Sequence, residues 1–279
     1  MKHALRGKTI VITGASSGIG EAMARLYSKM GANVVLGARN EEKLSLLVQM
    51  IRLEGGKAEY VATDVTKEED CKRLITTAVV AFGGVDILIC NAGISMRAIF
   101  DKVEMKVLHQ VMDVNFWGTV YCTKYALPYL RASKGSLVGI SSVAGLHGLP
   151  GRTGYSASKF AMTGFLETIR IENLKKKLHV MIACPGFTAS NVRYSALTAD
   201  GSVQGETPRE ENKMMTAEEV ARIVADGIAK RKRLCLMDRA GRATNCLKKF
   251  APWLLDRIFY RAMARERNSP LKERNLQPN

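Results

Sequence analysis

Residues 8–20 read KTIVITGASSGIG, and this stretch decides the fold. An apolar β-branched run leads into three glycines, and an apolar pattern with helical spacing begins directly after them. The glycines let the backbone turn tightly and approach a pyrophosphate, while the amino-terminal end of the following helix favours negative charge. A purely structural turn would use glycine for the same reason, but the position between a strand and a helix favours a dinucleotide site. The predicted contact residues are Gly14, Ser16, Ser17, Gly18, Ile19 and Gly20.

The alternation of strand and helix continues along most of the chain. Further apolar β-branched runs predict strands at residues 33–38, 58–63, 85–90, 135–141, 178–184 and 234–237. Helical patterns fill the intervals, at residues 19–30, 41–54, 68–81, 104–131, 155–176 and 216–230. Strands that are apolar on both faces and separated by helices are typical of a parallel sheet covered on both sides. The sequence therefore predicts an α/β fold: a Rossmann-type, doubly wound parallel sheet of seven strands, in one domain over residues 1–240.

The end of the second predicted strand bears on the choice of cofactor. Dinucleotide-binding folds that take NAD usually place an acidic residue there, whereas an arginine accommodates the 2′-phosphate of NADP. Here the strand ends Gly37-Ala38-Arg39, without an acidic residue. An ordinary solvated loop arginine is the alternative, but the planar guanidinium group suits phosphate. The sequence therefore predicts NADP(H).

The bulk composition restricts the class of protein. At 279 residues and 47% hydrophobic content, the chain is long enough to bury a full core. The first 20 residues lack the apolar segment and cleavage site of a signal peptide, and no uncharged run resembles a membrane-spanning helix. The six cysteines include no C-x-x-C pair, so we expect reduced core residues rather than disulfides or metal ligands. These features predict a cytoplasmic globular protein without a bound metal.

Short motifs follow the later predicted strands. They are Asp64-Val65 after the third strand, Asn91-Ala-Gly93 after the fourth, Asn115 in VNFWG, Ser142 in ISSVAG, Tyr155-x-x-x-Lys159, and Pro185-Gly186 after the sixth. Each motif alone is weak. In this order, with the glycine turn before them and Ser142 thirteen residues before Tyr155, they make the chain similar to the short-chain dehydrogenase/reductase family over residues 8–237.

This resemblance implies how the cofactor is held. Asp64 and the backbone of Val65 would bind the adenine, and Asn91 and Ala92 would line the ribose side. The segment 185–190 would hold the nicotinamide carboxamide, through a hydroxyl of either Thr188 or Ser190. Beyond the glycine turn and Arg39, the implied cofactor residues are Asp64, Val65, Asn91, Ala92, Gly93, Tyr155, Lys159, Pro185, Gly186, Thr188 and Ser190.

The resemblance also implies a catalytic set of Asn115, Ser142, Tyr155 and Lys159. Tyr155 would exchange a proton with the substrate oxygen, and Ser142 would hydrogen-bond that oxygen. Lys159 would hold the nicotinamide ribose, while Asn115, in a locally broken helix, would anchor a water that joins Lys159 to solvent. Because positions i and i+4 share one face of a helix, we expect the ammonium of Lys159 to lower the pKa of Tyr155. The implied reaction is hydride transfer between NADP(H) and a carbonyl or secondary alcohol.

The segment after residue 190 predicts a cover over the substrate. About twenty-five residues, 191–215, show little regular pattern, and loops of this length are usually functional. The apolar residues that we expect around the mouth of the site are Met96, Leu146, Leu149, Phe187, Tyr194, Met214 and Met215. Such a lining favours a fatty or steroid-like ketone, and within the family it resembles the hydroxysteroid dehydrogenase and ketosphinganine reductase branches. The alternative is that these residues only pack the loop down.

The last fifth of the chain carries most of the excess charge. Residues 230–279 contain 14 Lys or Arg against four acids, or +10 of the total net charge of +16. In a predicted helical extension over residues 241–279, basic residues surround an apolar stripe: Leu247, Ala251, Leu254, Leu255, Ile258 and Ala262. A basic amphipathic helix predicts peripheral membrane contact through residues 247–267, and docking on its own domain or on a partner subunit is the alternative. Because no recognition motif accompanies the charge, we predict no nucleic-acid partner.

Two other function classes stay open at this point. A non-catalytic dinucleotide sensor or scaffold would keep the glycine turn, but the complete catalytic set favours an enzyme that acts on a small-molecule carbonyl substrate. A membrane-surface protein would use the basic extension alone. The predicted helices at 104–131 and 155–176 resemble those through which family members pair, which implies a homo-dimer or tetramer.

Overall fold

A computed structural model describes residues 5–186, 188, 194–205, 214–266 and 268–272. In this part of the chain one parallel sheet has the strand order β3-β2-β1-β4-β5-β6-β7. The strands are β1 (Thr9–Thr13), β2 (Asn33–Ala38), β3 (Lys57–Ala62), β4 (Ile87–Cys90), β5 (Ser136–Ile140), β6 (His179–Cys184) and β7 (Leu234–Leu236). The predicted seven-stranded doubly wound sheet is confirmed.

The helices lie between the strands and beyond the last one. They are α1 (Gly18–Lys29), α2 (Glu41–Leu53), α3 (Glu68–Phe82), α4 (Met105–Met112), α5 (Gly118–Ala132), α6 (Thr153–Glu172), α7 (Ala217–Ala229), α8 (Arg239–Phe250) and α9 (Pro252–Arg265). The last two confirm the predicted helical region at the carboxyl-terminal end of the chain.

The sheet divides the apolar core into two layers. Along β1, Ile10 and Ile12 face the layer that contains side chains of α1, α2 and α7, and Val11 faces the layer built from α3, α5 and α6. All three side chains are fully buried. Both faces of the strand are therefore covered by helices, which is why the run carries no alternation of apolar and polar residues.

The strand order fixes where a ligand can bind. The chain runs outward from β1 through β2 to β3, and then returns to β4 on the other side of β1. At such a reversal the connections leave in opposite directions, and a crevice opens at the carboxyl ends of the two central strands. The glycine turn after β1 and the Asn91 motif after β4 meet there.

The segment 104–131, predicted to hold one or two helices, contains two. A π-helical turn, Asp113–Trp117, separates α4 from α5 and contains Asn115. Such turns inside helices occur frequently at functional sites. The local break that the family resemblance implied at Asn115 is thus present.

The extension at the carboxyl-terminal end differs from the predicted single stripe. The backbone leaves helical geometry at Ala251 (φ −144°, ψ 63°), and Pro252 opens α9. The break resets the helical phase, so residues that one continuous helix would align do not share a face. Within α9, Leu255 and Met263 are buried, whereas Ile258 is 45% exposed and Ala262 is also exposed.

The first helix of this region, α8, begins at Arg239 with Asp238 as its capping residue. None of the helices in the described residues combines the length and the apolar character needed to cross a membrane.

Candidate functional site

The glycine turn packs directly against the segment after β4. Gly14 has a φ of +66°, and a Cβ atom there would lie 2.8 Å from the Cα of Ala92. A Cβ on Gly20 would lie 2.2 Å from the carbonyl oxygen of Gly14. Both positions therefore require glycine, one for its backbone conformation and one for space. The turn ends at the amino terminus of α1, whose free N–H groups favour an anion.

Asn91 holds this turn in place. Its Nδ2 donates hydrogen bonds to the carbonyl oxygens of Thr13, at 2.9 Å, and Gly14, at 3.2 Å. The hydroxyl of Thr13 accepts from the main-chain N–H groups of Asn91 and Ala92, both at 3.0 Å. The carboxyl ends of β1 and β4 are thus joined by side chains that satisfy each other's main-chain groups.

A cavity of about 1070 Å³ lies over these strand ends. It is at the upper end of the size range of small-molecule sites. Most of the residues predicted to bind cofactor or substrate line it: Gly14, Ser16, Ser17, Gly18, Ile19, Arg39, Asp64, Val65, Asn91, Ala92, Gly93, Ser142, Tyr155, Lys159, Pro185, Gly186 and Thr188. Gly20 and Asn115 support this wall from behind, and Ser190 lies outside the described residues.

Arg39 and Asp64 stand at one end of the cavity. Arg39 is exposed directly after β2, and within the described part of the chain it has neither a hydrogen-bond partner nor an acidic partner. The Oδ1 of Asp64 accepts from the N–H and the hydroxyl of Thr66, at 3.0 and 2.8 Å. Asp64 is thereby fixed in orientation, while the guanidinium of Arg39 is available to an anion.

Tyr155 and Ser142 stand at the other end. Tyr155 lies in the first turn of α6, and Ser142 follows β5, where its Oγ accepts from the N–H of Ala144 at 3.2 Å. Ser142 is thus a capping serine as well as a cavity residue. Burial raises the pKa of Tyr155, and Ser142 and the charge of Arg152 act in the opposite direction.

Lys159 is buried one turn further along α6. Its Nζ donates to the carbonyl oxygen of Ile140 at 2.9 Å and lies 5.8 Å from the centre of the Tyr155 ring. Burial lowers the pKa of this lysine to about 8. The expected lowering of the Tyr155 pKa by Lys159 is not found, because an amine with a pKa of about 8 is already neutral where Tyr155, whose pKa is raised, loses its proton. Arg152 is the cation that lowers the Tyr155 pKa.

Asn115 connects three parts of the site. Its side chain exchanges two hydrogen bonds with the main chain of Ile94, at 2.8 and 3.0 Å, and donates to the hydroxyl of Ser158 at 2.9 Å. A Cβ on Gly93 would lie 3.1 Å from Asn115 Oδ1 and 3.4 Å from Lys159 Nζ. The amide therefore fixes the segment after β4 to α6, close to the lysine.

Several residues of the cavity were missed from the sequence. Arg152, Ser95 and the α4 side chains Lys106 and His109 line it, together with Leu197 from the segment after β6. Arg152 precedes Tyr155 by three residues, and this proximity to a predicted catalytic tyrosine was a usable signal. The others come together only through the fold.

The predicted apolar mouth is largely wrong. Leu149 lines the cavity, but Met96 is fully buried in a cluster with Val107, and Leu146 is buried in the core. Met215 packs against the opposite core layer. The loops turn these side chains inward, and charged groups take their place at the wall. Phe187, predicted for the same mouth, lies outside the described residues.

Comparison with known proteins agrees with the fold and identifies the family. Residues 8–200 match the sequence profile of the short chain dehydrogenase family. The chain is 42% identical over 188 residues to 11-beta-hydroxysteroid dehydrogenase-like 2 of Arabidopsis thaliana, a match that covers 67% of this chain and 61% of that protein. It is 38% identical over 260 residues to an 11-beta-hydroxysteroid dehydrogenase of Pinus massoniana, covering 90% of this chain and 73% of that one.

Solved structures show the same architecture. A short chain dehydrogenase/reductase from Burkholderia phymatum in complex with NAD superimposes with a TM-score of 0.80 at 26% identity, over 90% of this chain and 96% of that one. An alcohol dehydrogenase from Thermococcus sibiricus, complexed with 5-hydroxy-NADP, gives a TM-score of 0.70 at 27% identity, over 78% and 88%. One neighbour thus carries NAD and the other a derivative of NADP.

Proposed function

The chain belongs to the short-chain dehydrogenase family, and we propose that it is an oxidoreductase acting on the carbonyl–alcohol pair of a small molecule with NADP(H). The observation that carries this proposal is the placement of Ser142, Tyr155 and Lys159 along one cavity whose far end is the glycine turn. A dinucleotide with its reactive end at these three side chains would reach the anion-favouring start of α1.

The residues present fit such a cofactor. The positions of Gly14 and Gly20 leave a cradle that a Cβ atom would fill, and the start of α1 lies behind it. When bound, a nicotinamide cofactor supplies or accepts the hydride. Asp64 and Val65 would hold the adenine end, Lys159 the ribose hydroxyls, and Thr188 or Ser190 the carboxamide.

Tyr155 is the acid–base group of this proposal. Its hydroxyl gives a proton to the substrate oxygen during reduction. During oxidation, the deprotonated tyrosinate takes a proton from the alcohol. Ser142 donates a hydrogen bond to the same oxygen, where negative charge grows in the transition state. Lys159 and Asn115 lie next along the route to solvent, and Asn115 anchors the water that completes it.

The tyrosine provides the decisive experiment. Tyr155→Phe keeps the ring but removes the transferable proton, so we expect turnover to fall by about 10³-fold while NADPH binding stays within about twofold of the wild type. Oxidation of NADPH with a panel of steroid, long-chain keto-amine and small carbonyl compounds measures the first, and quenching of protein fluorescence measures the second. Retained turnover in the variant would remove Tyr155 from the proton transfer.

Arg39 supports NADP(H) over NAD(H). A guanidinium at the end of β2 pairs with a 2′-phosphate, and Arg39→Ala removes that partner. We expect the affinity for NADPH to fall about 100-fold and that for NADH to change less than about threefold. Arg52→Ala is the control, because Arg52 lies in an ion pair with Glu59 in which both side chains are exposed. An unchanged ratio of the two affinities would assign Arg39 to the solvated loop.

For the substrate we propose a lipid-like or steroid-like ketone, of hydroxysteroid or 3-ketosphinganine type. The relatives named as 11-beta-hydroxysteroid dehydrogenases support the steroid class. Leu149, Leu197 and Val203 offer apolar wall to an aliphatic body. The charged side chains of Lys106 and Arg152 in the same wall favour a substrate that also carries a polar group.

We also propose a homo-dimer or tetramer paired through α5 and α6. An aromatic patch on these helices joins Phe116, Trp117, Tyr121 and Phe165, and Trp117 is 43% exposed. Exposed aromatic groups of this kind are enriched at subunit interfaces. Trp117→Glu should reduce the oligomer to a smaller species in analytical ultracentrifugation; an unchanged mass would place the contact elsewhere.

For the location we propose a cytoplasmic protein with peripheral membrane contact. The inner face of α9 docks on its own domain, but Trp253, Arg257, Tyr260 and Arg261 share the outer face, where aromatic and basic side chains suit an anionic lipid surface. Co-sedimentation with phosphatidylglycerol vesicles should fall in Trp253→Ala/Tyr260→Ala and not in Phe100→Ala, which removes an aromatic group exposed elsewhere. Equal sedimentation of the two variants would oppose contact through this face.

A non-catalytic dinucleotide sensor is the second candidate, because the cradle alone would serve it. A sensor binds NADPH without turnover of any carbonyl compound, so the substrate panel separates the two functions.

A further inference from the structure

The cavity has a cofactor half, lined by Gly14, Arg39 and Asp64, and a substrate half, lined by Leu149, Arg152, Leu197 and Val203. Residues 95–98, here called the rim segment, lie beside the substrate half. The N–H of Leu197 donates to the carbonyl oxygen of Ser95 at 2.9 Å, and the N–H of Arg97 donates to the carbonyl oxygen of Leu197 at 2.8 Å. On the other side, the N–H of Ala98 donates to the carbonyl oxygen of Gly151 at 3.0 Å. Two chain segments that line the cavity therefore close on the rim segment through main-chain hydrogen bonds.

The first of these segments, residues 194–205, is here called the lid. It contributes Leu197 and Val203 to the cavity wall. The second carries Leu149 and Arg152, and Nη1 of Arg152 also binds the rim segment through the hydroxyl of Ser95 at 2.6 Å. The position of the rim segment thus sets the width of the substrate half.

The side chain of Arg97 connects the rim segment to the far end of the chain. Nη2 of Arg97 lies 3.2 Å from a carboxylate oxygen of Glu266, and Nη1 donates to the carbonyl oxygen of Asn268 at 2.9 Å. The two charged side chains are 7% and 9% exposed. Glu266 follows the last residue of α9, so this ion pair fixes the end of the extension at the rim segment.

Further contacts of the extension reach the segment that leads to Gly151. Asp256 is 3.0 Å from Nε2 of His147, and the ring of Phe259 stacks on His147 with 5.3 Å between centroids. A Cβ atom on Gly151 would lie 3.2 Å from the side chain of Pro270, so Pro270 packs closely against this glycine. The cradle residues Gly14, Arg39 and Asp64 form the other end of the cavity.

We propose that Glu266 and Arg97 are a positioning pair, through which the extension sets the geometry of the substrate half without acting on the cofactor half. This inference rests on the proposed function for its catalytic consequence. The pair is buried, so removing one charge takes the partner in this ion pair away from the other at low exposure, whereas replacing both with apolar groups of similar size removes the two charges together. This difference separates positioning from stability.

Amide hydrogen exchange followed by mass spectrometry tests the pair in the full chain, and it needs no substrate. In Glu266→Gln we expect the peptides that cover the lid to exchange about tenfold faster, while those from β1 keep the wild-type rate. Glu54→Gln, which breaks an exposed ion pair with Lys29, is the matched control and should change neither region. Equal lid exchange in wild type and Glu266→Gln, or an equal rise in β1, would overturn the proposal.

The double variant Arg97→Met/Glu266→Met distinguishes a loss of positioning from a loss of folding. We expect it to keep the wild-type Tm while kcat/KM for the carbonyl substrate falls about tenfold through KM, with NADPH affinity unchanged. Glu266→Asp keeps the carboxylate and should recover most of the wild-type KM. A double variant with wild-type KM would reduce the pair to a structural contact.

These measurements separate the two hypotheses. A wild-type protein that turns over no carbonyl compound contradicts the proposed function, and lid exchange then decides the positioning pair by itself. Turnover with unchanged lid exchange contradicts the positioning pair and leaves the proposed function standing.

Discussion

The cofactor half and the substrate half of the cavity are built by different means. In the cofactor half, Asn91 and Thr13 bind main-chain groups of two adjacent parallel strands, and the sheet itself holds them in register. In the substrate half, loops that leave the sheet are held by one another and by a segment 169 residues away in sequence, through Arg97 and Glu266.

This difference indicates where the molecule tolerates change. The strand ends of a doubly wound sheet are held in place by the packed core, so the positions of the residues in the cofactor half depend on how the core packs. Loops on a rigid scaffold vary in sequence and carry specificity. The extension packs against these loops, which it contacts at His147, Gly151 and Arg97.

Substitution of Gly20 has the largest expected effect, and it disrupts the cofactor half alone. In Gly20→Ala, the new Cβ would meet the Gly14 carbonyl at 2.2 Å, so the turn must move. We expect a loss of at least about 3 kcal/mol in the free energy of unfolding, together with loss of NADPH binding. Urea unfolding and fluorescence titration measure the two quantities.

Gly84→Ala is the matched control for this turn. A Cβ at Gly84 has no atom within 4 Å, so the substitution should change stability by less than about 0.5 kcal/mol. Equal effects of the two substitutions would show that the glycine turn is not packed as described.

Lys159 gives the next effect, at the junction of the two halves. Burial lowers its pKa from 10.5 to about 8, so at pH 7 the buried charge costs about 3 kcal/mol. Removal of the amine costs about 1 kcal/mol in the other direction, because the Ile140 carbonyl oxygen loses its hydrogen bond. Without cofactor, Lys159→Met should therefore be more stable than the wild type by about 2 kcal/mol at pH 7.

The pH dependence tests the cause of that gain. Between pH 8 and 10.5 the unfolded lysine binds more protons than the folded one, so the wild type gains stability from this group as pH rises. The advantage of Lys159→Met should shrink over this window in urea unfolding at pH 7 and pH 10. A difference that does not depend on pH would contradict burial of the charged amine.

The cofactor half was predictable from sequence because its physics is local. A positive φ at Gly14, a helix amino terminus at Ser17 and a side chain that follows a strand at Asn91 are all set within a few residues of their motif. The strand order then brings the motifs to one edge. The division into residues 1–240 and 241–279 stays a prediction.

The substrate half was less predictable because its physics is long-range. The apolar side chain of Met96 gave no sign of which way the loop would turn it, and the fold buries it. Arg97 and Glu266 are unremarkable in sequence, and only the docking of α9 brings them together. The extension is divided into two helices for a local reason, since Pro252 opens α9 after the backbone leaves helical geometry at Ala251.

Substitution of Arg152 has the smallest expected effect. Arg152 connects the two halves of the cavity, because it binds Ser95 in the rim segment and its charge acts on Tyr155. Burial raises the pKa of Tyr155, and the charge of Arg152 offsets part of that rise. Alcohol oxidation requires the tyrosinate as base, so its rate increases as pH rises through the pKa of Tyr155. Arg152→Met removes the offset, and the ascending limb of the pH–rate profile should move to higher pH, whereas Arg73→Met leaves it in place. A limb that stays fixed in Arg152→Met would show that the guanidinium acts only on Ser95 and the rim segment, and that the two halves meet at Lys159 alone.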